Sequence, residues 1–162
     1  MNSKSEKFGS ALAKAIKTTA AKMKDEAPAP VIYRVNRRDI PQAEGLKRED
    51  GWVDTQVQFL IDKKTADAAH VVGWTVLKPG ARHENHRHHD CDAFFIVLTG
   101  HGHIYTENGQ IPAVEGDVVY APRDCWHGFN NTSDDDVVLI WGLMGAGSLA
   151  DSGYQPAPQH PV

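Results

Sequence analysis

The sequence predicts an all-β fold, a sandwich or barrel built from many short strands. Two observations carry that reading. From residue 31 to about 145, Val, Ile, Phe, Tyr and Trp gather in runs of four to nine residues. Turn-forming segments separate many of these runs: "KPG", "TGHG", "ENGQ", "EGD" and "NTSDDD". A third observation, the absence of an internal repeat, limits the chain to one barrel rather than two.

Residues 4–24 come first and have a different character. Phe8, Leu12, Ile16, Ala20 and Met23 recur at three- and four-residue spacing, the stripe of an amphipathic helix. Six lysines and one glutamate make this stretch basic against an acidic remainder. "APAP" at 27–30 ends it, because proline removes a donor and forces extension. Residues 1–30 are therefore an N-terminal helical extension and proline linker, 31–145 the barrel and 146–162 a C-terminal tail. The predicted strand runs are "VIYRV", "VDTQVQFLI", "HVVGWTVL", "AFFIVL", "HIYT", "DVVYA" and "DVVLIWGLM". Asn108-Gly109 is a two-residue hairpin signal, since both central residues of a type I′ turn need positive φ. The tail, "GYQPAPQHPV", has no period and is expected to be loose.

Composition narrows the function. A chain of 162 residues, 41% hydrophobic and with a formal charge of −4, lacks the basic face that nucleic acid requires. It has no run long enough to span a membrane and no secretory h-region. With only Cys91 and Cys125, a reduced, cytoplasmic setting is expected. A small-molecule substrate and a homodimer are the expected partners.

The chemistry concentrates in "ARHENHRHHDCDAFF". Residues two apart on a strand share a face, so His86 and His88 can converge their ring nitrogens inside a barrel. Pro79-Gly80 supplies a turn before them and Gly100 a turn after. About forty residues later, Gly116, Pro122, His127 and Asn131 stand at the spacing G-x5-P-x-D-x2-H-x3-N. Together these two segments resemble the paired motifs of the cupin superfamily, G-x5-H-x-H-x3–4-E-x6-G and G-x5-P-x-G-x2-H-x3-N, over roughly residues 70–142. The resemblance implies a double-stranded β-helix of the jelly-roll kind, holding one divalent metal ion on His86, His88 and His127.

The chain departs from the pattern twice. Asp124 stands at the second motif's usual glycine. In the first motif, Ala93 stands where a carboxylate ligand is usual, with Asp92 at the shorter permitted spacing. If position 93 faces inward, strand parity sends 92 outward unless a bulge re-aims it. The readings are a three-histidine site, a site with Asp92 as fourth ligand, or one using Cys91, which shares the parity of 93. His83 and His89 are placed at the rim, and His101 and His103 at a strand edge. His70 and His160 are assigned to the surface. By alternation Cys125 shares the inner face with His127, and Trp126 faces the other way. Trp74, Phe95, Tyr105 and Trp141 are assigned to the barrel core.

Three imidazoles suit Fe, Zn, Ni or Mn. The missing glutamate resembles the three-histidine cupins, which implies an Fe(II) dioxygenase for a small aromatic or enolisable, diketone-like substrate. Asp92 or His83 would be its general base. An O2-independent lyase, isomerase or hydratase, or a non-catalytic binder of small ligands, are the alternatives.

Overall fold

The computed structural model describes residues 31–158. The expected helix over 4–24 and His160 lie outside the described residues. Among the described residues nine strands follow one another: β1 (Trp52–Ile61), β2 (His70–His88), β3 (Asp92–Thr99), β4 (His101–Thr106), β5 (Gly109–Val114), β6 (Val118–Ala121), β7 (His127–Asn130), β8 (Val137–Met144) and β9 (Tyr154–Pro156). One short helix, α1 (Lys63–Ala66), links β1 to β2 and is closed by a capping box between Asp62 and Thr65. All pairings are antiparallel, and the strands form one curled sheet in the order β5-β4-β7-β2-β8-β3-β6, with β1 and β9 also on β2. The fold is the expected all-β jelly roll.

Strand β2 joins the two halves. Its first half, His70 to Leu77, pairs with β8 on one edge and β1 on the other. The chain then bends through exposed Lys78, Pro79 and Gly80, where Gly80 has φ 78°. Its second half, Arg82 to His88, pairs with β7, β1 and β9. One continuous strand thus serves two sets of neighbours, which is how a sheet turns a corner.

Two apolar clusters fill the interior. Leu77, Phe95, Val97, Ile104, Phe129, Val137 and Leu139 anchor the larger. Val71, Cys91, Ala93, Ala121, Leu143 and Ala146 form the other. Phe95 and Trp141 pack where expected, but Trp74 and Tyr105 do not. Val71, Gly73, Thr75 and Leu77 are the buried positions in the first half of β2, so alternation turns Trp74 outward, where the Arg37 guanidinium covers its ring at 4.7 Å. Tyr105 is half-buried and lines an outer groove with Trp126. Gly73 faces Trp141 across the β2–β8 pair, and the indole lies where a Cβ would sit.

Other local expectations are also corrected. Residues 31–36 form no strand, and Val31 and Ile32 are almost fully exposed among the described residues. The β4–β5 hairpin exists, but its central residues are Glu107 and Asn108, since Thr106 pairs with Gly109. Asn108 does not adopt positive φ; Gly109 does, at 114°, as the first residue of the return strand. The tail is not loose over residues 150–157, because β9 pairs residue by residue with His86, Arg87 and His88.

Asn131, the last residue of the second motif, is fully buried and fully satisfied. Its amide donates to the Leu77 carbonyl at 2.9 Å and the Asp135 carbonyl at 2.8 Å. Its oxygen accepts from the Ser133 backbone N–H and hydroxyl. The residue locks the β7–β8 connection onto β2. An Asn131→Ala substitution strands the buried Leu77 carbonyl, and each such orphaned group costs about 1–3 kcal/mol. Urea unfolding should show a lower midpoint at an unchanged slope.

Candidate metal centre

The cross-strand pair His86–His127 sets the site. His86 and His88 project from the end of β2 and His127 from the start of β7, all three buried. One nitrogen from each ring lies within 4.8 Å of the others. Ring centroids are 4.3 Å apart for His86–His127, 5.2 Å for His86–His88 and 5.4 Å for His88–His127.

Hydrogen bonding identifies which nitrogens converge. His86 Nδ1 meets the Glu84 carbonyl at 2.8 Å, and His127 Nδ1 meets the Cys125 carbonyl at 2.9 Å. A carbonyl only accepts, so both Nδ1 atoms carry the proton and both Nε2 atoms carry the lone pair. His88 Nδ1 lies 3.0 Å from the Ser152 hydroxyl, whose own hydrogen goes to the Leu149 carbonyl at 2.7 Å. His88 therefore has the same tautomer. Three Nε2 lone pairs face one space, the arrangement a metal ion requires of imidazole ligands.

Electrostatics agree with that donor set. Burial, and then the neighbouring imidazoles, hold His86 well below the usual histidine value; the same causes push His88 down to about 3. Burial also lowers His127. All three rings are neutral at neutral pH, the form that binds metal. The cavity they face has a volume of about 60 Å³, on the scale of a few water molecules. Leu77, Phe95, Leu139, Trp141 and Leu143 wall it, and Ala93 contributes a methyl where a carboxylate was considered.

Asp92 is not part of the group. It follows strand parity and turns outward, where its oxygens accept from the Tyr120 hydroxyl at 2.9 Å and the Arg123 N–H at 3.0 Å. Those two bonds hold its carboxyl below the usual range. Cys91 is also outside the group: it packs in the smaller apolar cluster, and burial raises its thiol to about 11. Cys125 is half-buried against that cluster. Asp124 keeps the left-handed conformation that a glycine would take there, with φ 63°, and its carboxylate lies 2.5 Å from His89 Nδ1.

His83 is placed differently from its expected rim position. It lines the cavity, sandwiched between Trp52 at 3.6 Å and His86 at 3.9 Å between ring centroids. Simple alternation would put residues 83 and 86 on opposite faces. The β2–β7 register slips between them, however: three steps on β2 match two on β7, from His83↔Phe129 to His86↔His127. This bulge rotates His83 inward. The Tyr154 hydroxyl, kept protonated by burial, donates to the Asp50 carbonyl at 2.5 Å and accepts from His83 Nε2 at 3.1 Å. His83 thus carries its lone pair on Nδ1, the reverse of the other three. The sequence gives no pointer to Trp52, Ser152 or Tyr154: Tyr154 is a lone aromatic in a proline-rich stretch, and Ser152 carries no sequence signal at all. His89, His101 and His70 are exposed, and His103 bonds Thr132 at its strand edge.

Comparison with known proteins gives a family match: a cupin domain model fits residues 73–142. A 1-hydroxy-2-naphthoate 1,2-dioxygenase from Nocardioides sp. (strain KP7) is 33% identical over 52% of this chain, which spans 22% of that protein. Protein SchB of Streptomyces halstedii is 28% identical over 60% of this chain and 72% of its own length. Among solved structures, the polyketide cyclase RemF from Streptomyces resistomycificus superposes with a TM-score of 0.65 at 18% identity, covering 80% of this chain and 88% of that one.

The depressed histidines make the metal-free protein acid-sensitive. His88 stays neutral when folded down to about 3, whereas an unfolded histidine takes its proton near 6.5. Between those values the unfolded chain binds more protons, so stability falls as pH drops through the window. Each such histidine contributes at most about 1.4 kcal/mol per pH unit. Urea midpoints of the metal-free protein should fall steadily from pH 7 to pH 4, and His88→Gln should flatten that dependence.

Proposed function

We propose that this cupin-domain protein is a mononuclear Fe(II) dioxygenase acting on a small aromatic or enolisable, diketone-like substrate. The observation that carries the reading is the donor set: three neutral imidazoles with convergent Nε2 lone pairs, and no carboxylate among them. Neutral ligands leave the charge of a divalent ion uncompensated. Such a site favours a substrate that arrives with an ionisable oxygen, as phenols and enolised diketones do. The dioxygenase named among the relatives acts, by that name, on a hydroxynaphthoate, a substrate of this chemical kind.

When bound, a ferrous ion supplies Lewis acidity and the one-electron chemistry that ground-state O2 needs to react with a closed-shell molecule. Both oxygen atoms enter the product, so no external reductant is consumed. The chain's own residues supply the rest. His86, His88 and His127 would hold the ion. The apolar wall from Leu77 to Leu143 excludes water. His83 lines the same cavity with its Nδ1 unprotonated, and we assign it a hydrogen bond from the substrate hydroxyl rather than the proton itself, because burial disfavours its charged form.

Protein purified anaerobically without chelators should contain about one iron per chain and consume O2 with a member of a phenol and diketone panel. His127→Ala should lose both properties. Product formed in strict anaerobiosis would sink the dioxygenase reading and assign Lewis-acid lyase, isomerase or hydratase chemistry with Zn, Ni or Mn. Separately, His83→Gln should keep its metal content and raise KM about tenfold, the scale of one lost substrate hydrogen bond.

A further inference from the structure

The three histidines are oriented by unequal means. His86 and His127 each give their Nδ1 proton to a main-chain carbonyl two residues upstream, at Glu84 and Cys125. No side-chain substitution removes those acceptors, and they form together with strands β2 and β7. His88 instead relies on a side chain 64 residues further along, the hydroxyl of Ser152.

That hydroxyl is placed with care by its surroundings. Ser152 is fully buried. Its backbone carbonyl accepts from the Asp90 N–H at 3.1 Å, and the next carbonyl, of Gly153, accepts from the His89 N–H at 3.2 Å. Gly153 permits this approach: it adopts φ 65°, and a Cβ there would fall 2.6 Å from the Asp90 carboxylate. The Ser152 hydrogen is committed to the Leu149 carbonyl. Only the oxygen lone pairs are left to face His88, so the ring must present Nδ1–H to them and keep Nε2 free.

We infer that Ser152 is a positioning residue for the metal, acting through His88 by fixing the tautomer that leaves Nε2 unprotonated. The inference rests on the three-histidine reading of the site and adds to it a residue from the C-terminal segment. With alanine at 152, His88 loses its only directing acceptor. A neutral ring is then free to move its proton to Nε2, the form that cannot ligate.

The test is titration of the metal-free full-length chain with Co(II), read by its visible absorption, and with Zn(II) in competition against a chelator. Three proteins are compared: wild type, Ser152→Ala, and Ser148→Ala. Ser148 Oγ accepts from the Asp151 N–H within the same turn and does not touch His88, so it controls for general loosening. Ser152→Ala should bind about tenfold or more weakly, the range for removing such a supporting partner, with Ser148→Ala within twofold of wild type. Independently of any variant, nitrogen-15 shifts of His88 in the metal-free wild type should report Nδ1–H. A wild-type His88 protonated at Nε2, or equal affinities of Ser152→Ala and wild type, or equal losses in both variants, overturns the role of Ser152. Failure of the wild type to bind either ion overturns the metal site itself, and the inference with it.

Discussion

The structure depends on one requirement: three imidazoles must remain neutral and point the same nitrogen into one apolar-walled space. Burying a polar ring with an unmade hydrogen bond is unfavourable, so each ring needs an acceptor on its far side. The fold supplies two from main chain and one from a hydroxyl. Desolvation does the remaining work, because a protonated ring has no counter-charge among these walls. The same burial that sets protonation also fixes geometry, since a ring held by its Nδ1 proton has little freedom to swing.

Strand β2 meets that requirement through two irregularities. Its bend at Lys78–Gly80 lets one strand lie in both halves of the barrel, so the larger apolar cluster and the histidines share a continuous backbone. Its bulge between His83 and His86 adds a fourth imidazole to the cavity without disturbing the His86–His127 pair. Trp52, His83 and His86 then stack face over face, a supporting wall on one ligand that a regular strand would not build.

Much of this was legible in the sequence, and the limits are instructive. His86 and His88 are visible because period-two alternation is a local property, and His127 because its spacing to Gly116 and Asn131 matches a second motif. The inward turn of Ala93, and with it the outward turn of Asp92, follows from the same parity. The sequence places His83 at the rim because parity holds only while the register does, and a bulge leaves no mark in residue type. Strand β9 is invisible in the sequence, since "YQP" is too short for a period and is held by an edge contributed by β2. Trp74 and Tyr105 looked like core because aromatic residues usually are, yet each sits on the outward face of a strand whose inner face was already filled. The chain match to a cupin domain covers residues 73–142, and Ser152 and Tyr154 both lie beyond it.

The wide separation in sequence of the parts around His88 has a consequence for the order of assembly. Ring and hydroxyl are 64 residues apart, and His86 and His127 meet only after β3 to β6 have been laid between them. Loop closure of that span must precede any benefit from the contacts it brings. A metal ion would therefore have no preformed nucleus to gather around in the unfolded chain. It would find the barrel already built, so the apolar core directs the search for the native topology.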